Sequence, residues 1–222
     1  MKKVIGLVLT SCLLFAACST SNSDANDKNK NQSNQSEHKK HHKVVKDGRT
    51  YVDGILIVNK KISLPKDYNP GVDPKAQQAL NRMIADASKE GLHITNISNF
   101  RSYQTQVSLY NNYVARDGKK AADKYSARPG YSEHQTGLTF DVGAANSPEN
   151  LKTTFGNTKE GKWIKKNAHK YGFIVRYPKD GTHITGYQYE PWHLRYLGKK
   201  TATKVYDSGK TLEEYLGLYP EK

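Results

Sequence analysis

The sequence predicts an α+β domain, and three observations carry that prediction. Helical and strand signals follow one another irregularly after residue 50, without the repeating βαβ rhythm of a parallel sheet. About 170 residues remain in that part of the chain, enough for one domain with its own core. Both cysteines, Cys12 and Cys18, fall in the first 18 residues, so neither a disulfide framework nor a cysteine-based metal cluster supports the body.

The elements follow in order. Residues 51–59 contain the apolar run Ile55-Leu56-Ile57-Val58 and read as a strand. Asp73 supplies an N-cap and Pro74 a first helical residue, Ala76, Leu80, Ile84 and Ala87 recur at helical spacing, and Gly91 stops the helix. Residues 92–100 alternate as a strand that leads into Arg101. Residues 102–116 read as a second helix with Tyr103, Val107, Tyr110 and Val114 on one face. Residues 137–142 read as a strand, and residues 161–171 as a short helix with Trp163, Ile164 and Ala168 inward and Gly172 as its stop. Residues 173–177 and 192–197 are the last strands, and Thr211 with Glu214 forms a capping box that opens a final helix. No internal repeat is present.

Residues 1–17 read as an export signal, with Lys2 and Lys3 ahead of a mainly apolar stretch of 14 residues and Ala16-Ala17 before Cys18. A run of that length is too short to cross about 30 Å of hydrocarbon as a helix, which takes about 20 residues. Leu14-Phe15-Ala16-Ala17-Cys18 resembles a bacterial lipobox, which implies a lipid on Cys18 and an extracytoplasmic, membrane-anchored protein. The competing reading is an ordinary cleaved signal. Residues 18–49, rich in Asn, Ser, Gln, Asp and Lys, read as a disordered polar tether. The run His38-Lys39-Lys40-His41-His42 belongs to that tether, because its lysines oppose a bound cation. Lys plus Arg number 35 against 21 Asp plus Glu, a formal charge of +14, of which residues 50–222 keep about +9. An exported basic body faces the anionic cell envelope. A nucleic-acid partner is not expected, since no zinc-finger, helix-turn-helix or RNP pattern occurs.

Without cysteines, a transition-metal site in the body has to use histidine and carboxylate, and two His with one acid form a catalytic zinc set. Three of the eight histidines belong to the tether. His134 lies in Ser132-Glu133-His134-Gln135-Thr136-Gly137-Leu138-Thr139-Phe140-Asp141, after an Arg128-Pro129-Gly130 turn. His193 lies in Glu190-Pro191-Trp192-His193, where Pro191 disfavours a helix. The HExxH motif is absent, so a pairing of Glu190 with His193 has to arise from a loop-to-strand turn. Taken alone, either histidine reads as a structural residue. His93, His169 and His183 read as surface or helix-flanking residues.

Together with Phe100-Arg101-Ser102-Tyr103-Gln104-Thr105-Gln106, these stretches resemble the D-alanyl-D-alanine carboxypeptidase family of zinc peptidases, which includes VanY-type D,D- and LdcB-type L,D-carboxypeptidases. The resemblance runs from about residue 71 to residue 198. It implies a single domain with a small, mainly antiparallel sheet flanked by helices. It further implies that His134, Asp141 and His193 bind one zinc and leave a position for water, with Glu190 as general base and acid. Arg101 then stabilises the oxyanion or anchors the substrate carboxylate, Gln106 and Ser132 hydrogen-bond the peptide, Arg128 assists, and Trp192 packs under the site. Three alternatives stand beside these roles: Glu190 as an acid that orients His193, Glu133 as the base, and Arg101 paired with a structural carboxylate. The implied activity is removal of the terminal D-alanine from peptidoglycan stem peptides, by a D,D- or an L,D-cut. The competing functions are a catalytically inactive peptidoglycan-binding module and a related endopeptidase.

Overall fold

Two tight turns open the chain in the computed structural model, which describes residues 40–220. Asp47-Gly48 and Asp53-Gly54 have positive φ at both positions (49° and 71°, 50° and 79°), as type I′ hairpin loops require. They fold β1 (Lys43–Lys46), β2 (Arg49–Val52) and β3 (Ile55–Ile57) into a three-stranded antiparallel sheet. Two expectations change here. Residues 51–59 are the end of one hairpin strand, a turn and the next strand, and β1 lies inside the stretch read as tether. All four residues of β1 are exposed, so its composition carries no burial signal. His41 Nδ1 and the His42 N–H meet the Asp53 carboxylate at 2.8 and 2.9 Å, which makes both histidines part of the hairpin. The signal, Cys18 and the tether as far as residue 39 lie outside the described residues.

α1 (Pro74–Lys89) starts as its cap dictates, with the Asp73 carboxylate accepting the Ala76 N–H at 2.8 Å. Its buried stripe is Ala76, Ala79, Leu80, Met83 and Ala87. β4 (Ile94–Ser98) follows, then α2 (Tyr103–Asp117), capped by Ser102, and α3 (Lys119–Tyr125). The remaining elements are β5 (Thr139–Ala144), α4 (Lys159–Asn167), β6 (Phe173–Tyr177), α5 (Thr182–Thr185), β7 (Glu190–Tyr196), α6 (Lys199–Ser208) and α7 (Leu212–Tyr215). The Thr211–Glu214 capping box forms as expected. α3, α5 and α6 have no counterpart in the sequence reading. α6 buries only Ala202 and Val205, too few apolar positions to display a helical period.

The second sheet runs β4-β5-β7-β6 and is antiparallel throughout. One of its faces carries the main core, where Phe140, Val142, Phe173 and Leu194 pack against Leu80 and Met83 of α1 and Trp163 and Ile164 of α4. Side chains alternate along a strand, so Asp141 and His193 leave on the opposite face. A second cluster of Val52, Ile57, Ile174, Ala202, Val205, Leu212 and Leu216 joins the small sheet to α6 and α7. The fold is the α+β arrangement of a mainly antiparallel sheet with flanking helices.

Candidate active site

Asp141 and His193 stand directly opposite each other in the β5–β7 register. His193 Nδ1 lies 3.2 Å from Asp141 Oδ1, and His134 Nε2 lies 3.1 Å from Asp141 Oδ2. His134 comes from a 3-10 turn, Glu133–Thr136, that closes on Gly137 at φ 73°. A Cβ at Gly137 would run into the Gly71 carbonyl, so only glycine lets this turn sit against the start of α1. The His134 ring is aimed from behind. Its Nδ1 pairs with the Asn99 carbonyl at 2.6 Å, and the Arg101 N–H donates to the His134 carbonyl at 3.1 Å. An N–H to a carbonyl puts the proton on Nδ1 and leaves the Nε2 lone pair facing Asp141.

Glu190 reaches the same place through a bulge. Val175 pairs with Leu194 but Tyr177 pairs with Glu190, so Arg176 alone stands against Pro191, Trp192 and His193. Residues three apart on a regular strand point to opposite faces. The bulge turns Glu190 and His193 to one side, with Glu190 Oε2 3.7 Å from His193 Nδ1. Pro191 has no N–H to give a ladder, which suits the interruption. The expected loop-to-strand turn is therefore an irregularity inside β7.

One ligand atom from each of His134, Asp141 and His193 falls within a 4.8 Å cluster, and all three residues are buried. The two histidine nitrogens approach Asp141 at 3.1 and 3.2 Å, each on its own carboxylate oxygen, close enough to share one small cation with bonds of about 2.0–2.1 Å. Asp141 Oδ1 is buried without a well-aligned hydrogen bond. Two imidazoles and one carboxylate around a common point fit zinc. The charges agree: burial opposes ionisation of Asp141, yet His134 and His193 hold its carboxyl well below the usual range. Burial lowers the pKa of His134. It would lower that of His193 too, but the carboxylates of Asp141 and Glu133 raise His193 to about 9. Burial pushes Glu190 up to about 7 against the pull of His193.

A cavity of about 430 Å³ opens over this cluster, and Arg101, Ser132, Glu190 and Trp192 line it. Arg101 Nη1 donates to Gln106 Oε1 at 2.9 Å and Nη2 reaches Ser98 Oγ at 3.4 Å. Two expectations are corrected. Gln106 is 1% exposed, and its amide nitrogen is spent on the Ala127 carbonyl at 2.6 Å and Ser126 Oγ at 3.4 Å. It is a brace under Arg101 and does not line the cavity. Arg128 turns away from it, with Nε and Nη2 on Asp123 at 3.1 and 2.8 Å. Asp123 belongs to α3, an element the sequence did not reveal. Glu133 Oε1 accepts from both Arg176 and Arg195, so one edge of its carboxylate is committed to the two guanidiniums. His183 is exposed on α5. Tyr187 was missed: it lines the cavity with a buried hydroxyl that has no hydrogen-bond partner. The aromatic run Tyr187-Gln188-Tyr189 just ahead of Glu190 was its only sequence signal.

Residues 69–199 match the VanY family, described as D-alanyl-D-alanine carboxypeptidase. The chain belongs to this family. The D-alanyl-D-alanine carboxypeptidase of Enterococcus faecium is 33% identical over 204 residues, 81% of this chain and 63% of that protein. The chain thus spans just under two thirds of the length of such curated relatives. The crystal structure of an L,D-carboxypeptidase, DacB of Streptococcus pneumoniae, is 45% identical with a TM-score of 0.73 and covers 80% of this chain and 96% of that one. A glutamate-to-alanine variant of the vancomycin-resistance D,D-pentapeptidase VanY, in complex with Zn(II), is 33% identical with a TM-score of 0.64, over 72% of this chain and 97% of that one.

Proposed function

We propose that this VanY-family chain is a zinc-dependent carboxypeptidase that removes the C-terminal D-alanine from peptidoglycan stem peptides. The observation that carries the proposal is the buried His134–Asp141–His193 cluster with Glu190 turned to the same side. The greater likeness to an L,D-carboxypeptidase, 45% identity against 33% for the D,D-enzyme, favours the tetrapeptide as substrate.

His134 Nε2, an Asp141 oxygen and His193 Nδ1 would hold the zinc, which when bound supplies Lewis-acid activation of water and of the scissile carbonyl. Glu190 takes the proton of the attacking water and returns it to the amine of the departing D-alanine, work for which a carboxyl raised by burial is suited. Arg101 faces the cavity with no carboxylate as direct partner among the described residues, and its guanidinium takes up negative charge on the substrate. Ser132 lines the same wall and offers a hydroxyl to the peptide. Gln106 acts through Arg101. Cys18 carries the lipid that holds the protein at the outer side of the membrane, and the basic body faces the anionic envelope. Among the described residues, no helix is long and apolar enough to cross a membrane.

Defined tetrapeptide and pentapeptide stems, digested side by side and weighed by mass spectrometry, test the proposal. The expected result is loss of one D-alanine from the tetrapeptide, abolished by a chelator and restored by zinc. Zinc-loaded protein that releases no D-alanine from either stem overturns it in favour of a binding module. Cleavage of cross-linked dimers alone overturns it in favour of an endopeptidase.

A further inference from the structure

Below the cluster lies a fully buried set of charges that the proposed reaction does not use. Glu133 Oε1 accepts from Arg176 Nε at 2.9 Å and from Arg195 Nη1 at 2.8 Å. Arg176 grips Glu213 of α7 with both terminal nitrogens, at 2.8 and 2.6 Å. Arg195 Nη2 donates to the Leu56 carbonyl of β3 at 2.6 Å. Two guanidiniums and two carboxylates cancel in charge, and none of the four residues is more than 4% exposed. Buried ion pairs are weak sources of net stability, so the geometry of this set is its more informative property.

What it does is visible at the second Glu133 oxygen. Oε2 lies 3.4 Å from His193 Nε2, and both atoms are buried without another hydrogen-bond partner. On the other side of the ring, His193 Nδ1 faces Asp141 at 3.2 Å and Glu190 at 3.7 Å. A neutral imidazole carries one proton, and the nitrogen that carries it cannot bind a metal. We infer that Glu133 is the positioning residue of the metal centre: its Oε2 draws the His193 proton to Nε2 and leaves Nδ1 as the ligand, while Arg176 and Arg195 clamp the carboxylate by its other oxygen. His134 shows the opposite choice, with its proton on Nδ1 toward Asn99. The two histidines thus present different nitrogens to one point, each fixed from behind by an acceptor of its own. The inference rests on the zinc site proposed above.

The substitution Glu133→Gln tests it. The amide oxygen stays with the two guanidinium donors, which turns the NH₂ toward His193 Nε2. A donor there favours the wrong tautomer, as an amide does beside a catalytic histidine. Zinc affinity of the full chain, read by competition with a chromophoric chelator, is expected to fall about 10- to 100-fold. Thr158→Ala serves as the control, since it removes the cap of α4 on the apolar face of the sheet and lowers stability without touching the metal ligands or the buried charges. A loss in Glu133→Gln at least about tenfold beyond that control supports the inference, and equal affinities in the two variants overturn it. If Glu133→Gln does not fold, the imidazole ¹⁵N shifts of His193 in the zinc-loaded wild type decide: a proton on Nε2 supports the assignment and a proton on Nδ1 overturns it. Wild-type protein that takes up no zinc overturns the proposed activity and this inference together, whereas the other negative results overturn this inference alone.

Discussion

Glu190 is within reach of His193 yet buried, and the two facts together define what its removal should do. Glu190→Gln keeps the His134–Asp141–His193 cluster and the shape but removes the proposed proton carrier, so zinc content should stay near one per chain while D-alanine release falls about 10²- to 10⁴-fold. Metal analysis and single-turnover assays on one preparation check this. His193 gives a second residue-scale prediction. Its metal-free pKa is raised to about 9 by Asp141 and Glu133 against the effect of burial, so near neutral pH it holds a proton that an incoming cation has to displace. Zinc uptake should then release about one proton and weaken as the pH falls, which calorimetry in buffers of different ionisation heat will show. The gathering of His134, Asp141 and His193, with Glu190 beside them, was legible in the sequence because each residue sits in a motif with informative neighbours. Gln106 and Arg128 were not, because a side chain chooses among partners that only the fold supplies. The Ala127 carbonyl claims one and Asp123 the other.

At the scale of elements, what was legible was what ends elements. Asp73-Pro74, Ser102 and the Thr211–Glu214 pair mark the starts of α1, α2 and α7 because caps act through near neighbours. The bulge in β7 was not legible, since it is a mismatch between two strands and appears only when β6 lies alongside. Asp47-Gly48 and Asp53-Gly54 are hairpin-turn pairs, but the apolar run beside them reads as a single strand and the hairpins went unread. The turn that carries His134 depends on Gly137, at φ 73° and against the Gly71 carbonyl. Gly137→Ala should therefore destabilise the protein by more than about 1 kcal/mol, from backbone strain and the displaced contact together. Urea unfolding will measure it, and zinc affinity should fall in parallel because the displaced turn holds a ligand.

Across the whole molecule, much of the exposed positive charge gathers on two helices. Lys159, Lys162, Lys165 and Lys166 of α4 and Lys199, Lys200 and Lys204 of α6 are all exposed, with only Glu160 and Asp207 as acids in those two helices. α4 packs on the apolar face of the sheet, the face away from Asp141 and His193. Retention on isolated cell walls should then be electrostatic, dropping steeply as salt rises from about 0.05 to 0.5 M and the screening length shrinks to a few ångströms. A pelleting assay checks it, and cleavage of a soluble stem peptide should respond far less. The direct pairing of Asp141 with His193 has one more consequence. Slipping β7 by a single residue against β5 would send one of the two to the apolar side. A cation bound at this centre would therefore stabilise only chains whose central strands have found the correct partners, and would add nothing to the misthreaded ones.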